Sequence, residues 1–231
     1  MDTSHLRYPT NICISGLTAS GKTTHAHLLA GEFGLTYVSG SQIQLNILGV
    51  SPIQSKDFWI TQGAKALWDA EQFRKIDSEL LMIESRATGC IFDTSTMPWR
   101  HRKPAFCIWL ESSLPSRVTK SIVSHRGRNQ FEISEYPAKI AEKDASTVGL
   151  YRDLYDIQIG SDLSCFDMII DISDLIHEPT LDSSLASISI AHKFVRAASA
   201  FTLTGKTTYR DDLLQAAHEH PNALQRCSLL G

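Results

Sequence analysis

Gly16-Leu17-Thr18-Ala19-Ser20-Gly21-Lys22-Thr23 has the spacing G-x-x-x-x-G-K-[ST], the signature of a phosphate-binding loop, or P-loop. Its flanks fit. Asn11-Ile12-Cys13-Ile14-Ser15 is a short, mostly apolar run that reads as a buried parallel strand. Thr24 to Ala30 follows as a helix with Ala26, Leu29 and Ala30 on one face. Strand, glycine loop and helix start thus come in the order that phosphate binding needs. Glycine lets the backbone wrap closely around a phosphate chain. The N–H groups of the loop and of the helix N-terminus point at that anion. The expected nucleotide contacts are Gly16, Thr18, Ala19, Ser20, Gly21, Lys22, Thr23 and Thr24. Lys22 would reach the β- and γ-phosphates and the Thr23 hydroxyl would hold Mg2+, so ATP and Mg2+ are the expected donor and metal.

The rest of the composition narrows the class. A chain of 231 residues suits one α/β domain, or one domain with an extension. Hydrophobic content of 42% and charged content of 20% are ordinary for a globular protein. A formal net charge of −3 supplies no basic field for DNA or RNA, so nucleic acid is not an expected partner. No apolar run approaches the roughly 18 residues that span a bilayer, so no membrane partner is expected. Met1 to Pro9 lacks the apolar centre of a signal peptide, which predicts a cytoplasmic location. Cys13, Cys90, Cys107, Cys165 and Cys227 are scattered and read as reduced thiols. His25 and His27, two apart on a helix, point to different faces and do not make a zinc pair.

Further along, Gly34 closes the first helix and Leu35-Thr36-Tyr37-Val38 reads as a second strand. Ser41 is placed to cap a short helix running through Leu48. Residues 56–72 and 73–87 read as one or two helices, with Phe73, Ile76, Leu80 and Ile83 on one face. Cys90-Ile91-Phe92-Asp93 is a third strand ending in a carboxylate, Ala105 to Leu110 a fourth and Phe166 to Ile170 a fifth. Leu114, Val118 and Ile122 space out a helix, residues 137–154 read as another, and two more lie near 181–200 and 209–219. Strands alternating with helices imply a doubly wound parallel sheet, with ligands beyond the carboxyl ends of the strands. The P-loop and Asp93 share that edge. Leu203-Thr204-Gly205-Lys206-Thr207-Thr208 echoes the P-loop, but Ala200 stands where the first glycine is needed, and it reads as a turn.

Several stretches together resemble the nucleoside monophosphate kinase group, and within it the short, archaeal-type cytidylate kinases. They are Ile14-Ser15-Gly16 through Thr24, Gly34-Leu35 to Ser39, Ile108-Trp109-Leu110, and Tyr151-Arg152-Asp153-Leu154-Tyr155-Asp156-Ile157 followed by Asp162 to Ser173. The resemblance covers about residues 10–175. It implies a P-loop kinase three-layer sandwich: a five-stranded parallel sheet with helices on both faces, plus a C-terminal helical extension. The core would span 1–178 with a lid at about 124–136, and the extension 179–231 of the same domain. It also implies that Arg126 and Arg128, in the lid, close onto the transferring phosphate. The segment Asp171 to Asp174 would contact the adenine.

The acceptor side departs from the group. Where such kinases carry Asp-Ile-x-Arg after the second strand, this chain has Gln42-Ile43-Gln44-Leu45. Where their third strand ends Glu-Gly-Arg, it has Asp93-Thr94-Ser95-Thr96, and Leu150 replaces the arginine before Tyr151. Those arginines grip the acceptor's phosphate in the group, so bidentate partners for a doubly charged acceptor are missing.

Lys22, Asp93, Arg126 and Arg128 are the expected catalytic residues, and Thr23 and Asp93 the expected metal shell. Asp93 has two candidate tasks: holding the Mg2+ shell, or accepting the proton of an attacking hydroxyl. Ser39, Ser41, Gln42, Trp99, Arg100 and Arg152 are candidate acceptor contacts. The neutral groups suit an uncharged polar substrate, and Trp99 could stack on a ring. Arg117 lies on the polar face of its helix and reads equally as a surface charge. The function expected is an ATP-dependent phosphotransferase acting on a nucleotide or nucleoside-like small molecule. One alternative is a hydroxyl kinase of a specialised nucleoside or metabolite pathway. Another, from a different class, is a non-catalytic ATP-binding switch. The C-terminal helices either cap the sheet or form a homodimer contact.

Overall fold

Alternation within the strand before the P-loop sets the layers. Ile12 and Ile14 face one side, Cys13 the other, and all three are fully buried. The computed structural model describes residues 10–49, 69–125 and 132–230. Its strands are β1 (Asn11–Ser15), β2 (Thr36–Ser39), β3 (Cys90–Asp93), β4 (Ala105–Glu111), β5 (Met168–Asp171) and β6 (Leu224–Cys227). Its helices are α1 (Lys22–Phe33), α2 (Gly40–Ile47), α3 (Ala70–Arg86), α4 (Met97–Arg100), α5 (Leu114–Ser124), α6 (Tyr136–Tyr155), α7 (Leu181–Thr204) and α8 (Thr207–Glu219).

The sheet runs β2-β3-β1-β4-β5-β6, with the first five strands parallel and β6 antiparallel to β5. On one face Ile12 and Ile14 meet Ala26 and Leu29 of α1, Phe194 and Val195 of α7 and Leu213 of α8. On the other, Cys13, Phe92, Cys107 and Trp109 meet Phe73, Ile76 and Leu80 of α3 and Tyr151 of α6. This is the expected three-layer P-loop kinase sandwich with helices on both faces.

The sheet has six strands rather than five. β6 is short, Leu-Gln-Arg-Cys, with Gln225 and Arg226 exposed, so it has no apolar run to mark it. It forms because α8 returns the chain beside the β5 edge, where Met168 pairs with Cys227. It covers an edge that would otherwise present unpaired backbone groups.

Local chemistry sets the helix boundaries. α2 is capped by Ser39 rather than Ser41: the chain leaves β2 extended, and Ser39 Oγ accepts from Gln42 N at 3.2 Å. Gly205 ends α7 in the left-handed conformation, φ 67°, so the second Gly-Lys-Thr run is a helix stop. In register, Asp93 lies beside both Ile14 and Ser39. The ends of β2, β3 and β1 therefore converge where the P-loop begins.

Candidate active site

The P-loop is built tightly against β4. A side chain at Gly16 would place its Cβ 2.6 Å from Leu110 O and 2.6 Å from Ser20 Oγ, so only glycine fits. Gly21, φ 106°, leads into α1, and Ala19 takes the left-handed conformation at φ 62°. Lys22 Nζ folds back over the loop, donating to Gly16 O at 2.7 Å and Leu17 O at 2.8 Å. Burial pulls its ammonium below the ordinary lysine value, while the charges of Asp93 and Asp144 partly offset this.

Asp93 sits at the end of β3 and is 4% exposed. Its Oδ2 accepts from Thr23 Oγ1 at 2.7 Å and from Tyr37 OH at 2.9 Å. A hydroxyl and a carboxylate are hard oxygen donors. Mg2+ is usually held by one or two such protein groups together with phosphates and water, so these residues fit it. Among the described residues there is no group of three or more His, Cys, Asp or Glu that could hold a metal without such help.

A buried ion pair supports the loop from the other side. Arg117 of α5 pairs with Asp144 of α6, their side chains 7% and 13% exposed. Asp144 Oδ1 accepts from Thr18 N at 2.9 Å, and Arg117 Nη1 donates to Thr18 O at 3.1 Å. Arg117 Nε also donates to Ser112 O at 3.0 Å. The pair thus holds Thr18 by both its N–H and its carbonyl, and Arg117 is a buried brace rather than a surface charge. Next to it, Lys143 is pushed down to about 8 by burial first and by Lys22 second. Lys120 is likewise pushed down to about 8, by burial and then by Arg117.

Two cavities meet at this point. The larger, about 890 Å³, runs from the P-loop past Lys120, Tyr136 and Ile172 to Ser187 of α7. The second, about 560 Å³, lies between the P-loop, β2, α2 and α3. They share Thr18, Ala19, Lys22, Thr23 and Lys143. A group passing from one to the other would pass Lys22 and Thr23.

The sequence-derived candidates divide between these places. Thr18 to Thr24 line the larger cavity and Gly16 the smaller. Ser39, Ser41, Gln42 and Asp93 line the smaller one. Trp99, Arg100 and Arg152 line neither. Trp99 packs edge-on against Phe166, ring centroids 5.0 Å apart, because the short helix α4 after β3 turns it toward the core. The Arg100 guanidinium lies 3.8 Å from the centre of the Tyr155 ring. Arg152 is exposed on α6 and pairs with Asp153 at 3.2 Å. Arg126 and Arg128 lie outside the described residues. His25 and His27 diverge as expected: His25 Nδ1 is 3.3 Å from His192 Nδ1, and His27 stacks on Tyr37.

Sequence reading missed Tyr37, Lys143, Asp144 and the support role of Arg117. The two-residue period of β2 could have flagged Tyr37 as sharing a side with Ser39. Nothing in the sequence pairs Arg117 with a residue 27 positions away.

Comparison with known proteins gives the same class. A cytidylate kinase of Sulfolobus acidocaldarius is 29% identical over 187 residues, covering 77% of this chain and 93% of that protein. One from Pyrobaculum aerophilum is 28% identical over 188 residues, covering 80% and 97%. One from Halorubrum lacusprofundi is 26% identical over 181 residues, covering 77% and 88%. No family model matches the chain. A solved shikimate kinase from Bacteroides thetaiotaomicron superposes at a TM-score of 0.48 with 12% identity over 81% of this chain and 98% of that one, too loosely to add to these. The chain is a phosphotransferase, a P-loop kinase of small molecules. Within that class it is similar to archaeal cytidylate kinases.

Proposed function

We propose that the chain transfers the γ-phosphoryl group of ATP to a hydroxyl of a nucleoside-like or related polar small molecule. The observation that carries this is the lining of the smaller cavity. Its polar groups are mostly hydroxyls and amides, among them Ser39, Ser41, Gln42, Gln44, Thr94 and Thr96, and among the described residues no arginine lines it. Between residues 36 and 96 the sequence holds only Arg74 and Arg86, both exposed on α3. A phosphate acceptor is best held by planar, bidentate guanidinium groups. A neutral acceptor needs hydrogen bonds alone.

In this reading the triphosphate lies along the P-loop in the larger cavity. Lys22 moves from the loop carbonyls onto the β- and γ-phosphates. Thr23, with Asp93 behind it, would hold Mg2+, which neutralises charge on the phosphates when bound. The acceptor sits in the smaller cavity with its hydroxyl toward Asp93. That hydroxyl carries a proton, and Asp93 accepts it as the new oxygen–phosphorus bond forms and ADP leaves. The Arg117–Asp144 brace keeps Thr18 in place throughout.

A second reading, transfer to a nucleoside monophosphate, is favoured by the relatives, which are cytidylate kinases. Mass-resolved phosphotransfer assays separate the two. The protein, ATP and Mg2+ are incubated with a panel of nucleosides and, separately, with nucleoside monophosphates. A phosphate gained on a sugar or other hydroxyl supports the proposal. A new nucleoside diphosphate overturns it in favour of the second reading.

A further inference from the structure

We propose that Tyr37 is a positioning residue of the transfer site: its hydroxyl, with that of Thr23, pins the Asp93 carboxylate toward the metal and phosphate end. This rests on the donor-site reading above but not on the identity of the acceptor. Both hydrogen bonds to the carboxylate fall on one oxygen, Oδ2, from Thr23 at 2.7 Å and Tyr37 at 2.9 Å. Among the described residues, none falls on Oδ1. Two donors on one oxygen fix the carboxylate's orientation and leave the other oxygen to take a proton or a metal-bound water. Asp93 lines the acceptor-side cavity, so that second oxygen belongs to a group reachable from there.

Tyr37 is built for this placement. β2 and β3 are paired in register, Tyr37 beside Ile91 and Ser39 beside Asp93. Tyr37 and Ser39, two apart on a strand, share a side. The ring is held against His27 of α1, centroids 4.0 Å apart and planes at 28°, so the P-loop helix itself sets where the hydroxyl points. Burial first, and the charge of Asp93 second, hold the phenol well above its ordinary value, so it remains a protonated donor. Thr23 alone would leave the carboxylate free to turn about that single hydrogen bond; the second donor on the same oxygen, Tyr37, removes that freedom.

Tyr37→Phe removes the hydroxyl and keeps the ring, the strand and the His27 stack. Calorimetric binding of ATP is measured with EDTA and with Mg2+, for the wild type and the variant, alongside thermal unfolding. The expected result is equal binding in EDTA and a gain from Mg2+ that is about tenfold smaller in the variant, the scale of one charge-assisted hydrogen bond. Where turnover is measurable, kcat falls about tenfold with the acceptor KM unchanged. Tyr37→Leu, which also removes the ring, lowers the unfolding temperature but shrinks the Mg2+ gain no further. An unchanged Mg2+ gain in Tyr37→Phe overturns the inference, as does equal weakening with and without Mg2+, which a merely structural tyrosine would give. A wild type that binds no ATP overturns the donor-site reading and this inference together. A wild type that binds Mg2+ and ATP but phosphorylates no hydroxyl counts against the acceptor reading alone, and the Mg2+ comparison still decides Tyr37.

Discussion

The Arg117–Asp144 brace is the place where one atom's change should be felt both in stability and in nucleotide binding. Asp144→Asn is nearly isosteric. It keeps an acceptor for Thr18 N but leaves the Arg117 guanidinium, 7% exposed, without its counter-charge. Removing one partner of a buried pair costs about 3–5 kcal/mol, because a charge stays buried without compensation. The retained acceptor for Thr18, and the Arg117 bonds to Ser112 O and Thr18 O, place this variant at the lower end, about 3 kcal/mol. At roughly 2–4 °C per kcal/mol for a chain of this size, the unfolding midpoint should fall by about 6–12 °C. Circular dichroism during thermal and urea unfolding reads this directly. Arg117→Met combined with Asp144→Asn removes both charges, so its cost should fall short of the sum of the single costs by more than about 1 kcal/mol. ATP binding should weaken in Asp144→Asn, since Thr18 belongs to the P-loop. Single variants within about 1 kcal/mol of wild type, or strictly additive costs, would refute the idea that this pair holds the loop.

Other consequences follow from the same geometry. Lys22→Met should lower kcat by about 10²–10³-fold while the unfolding midpoint stays close to wild type, as steady-state kinetics and calorimetry will tell. Gly16→Ala should abolish tight ATP binding in a calorimetric titration, because the new Cβ would stand 2.6 Å from Leu110 O, a backbone atom that cannot yield cheaply. The pH dependence has a definite sign. Lys120 and Lys143, both pushed down to about 8 chiefly by burial, lose their charge above that pH. The kcat/KM for ATP should therefore fall with a midpoint near pH 8, and Lys143→Arg should move the fall upward. Stability should run the opposite way. The unfolded chain, with lysines near their ordinary value of about 10.4, binds more protons than the folded one between about pH 8 and 10.4, so unfolding free energy rises across that window.

The donor side was legible because its chemistry is local. A phosphate loop needs glycines, a lysine and a hydroxyl within eight consecutive residues, and a strand before it with a helix after it. Periodicity gave the parallel strands and most helices for a similar reason: β1 to β5 carry apolar runs between turn signals. β6 carries none, and it exists only because α8 brings the chain back to an open edge. Near Asp93 the limits are clearer still. Its position at a strand end was readable, but its partners Thr23 and Tyr37 lie 70 and 56 residues away. Trp99 and Arg100 looked like acceptor contacts because they follow a core strand, yet the short helix α4 turns them onto Phe166 and Tyr155. Arg117 could be read equally as a surface charge because helix periodicity says which residues share a face, not what lies against it.

By itself the amino-acid sequence determined the P-loop, the doubly wound architecture, the edge of the sheet at which the P-loop and Asp93 lie, and the absence of arginine from Gln42–Leu45 and Asp93–Thr96. Each of these is written in short-range spacing or in residue identity. Only the tertiary structure decided which oxygen of Asp93 is held and by what, which buried pair grips Thr18, and that two cavities meet at Lys22 and Thr23. Those facts depend on distances between strands and helices far apart in the chain. Such distances are set by how the two apolar faces of the sheet are covered, and no local pattern encodes them.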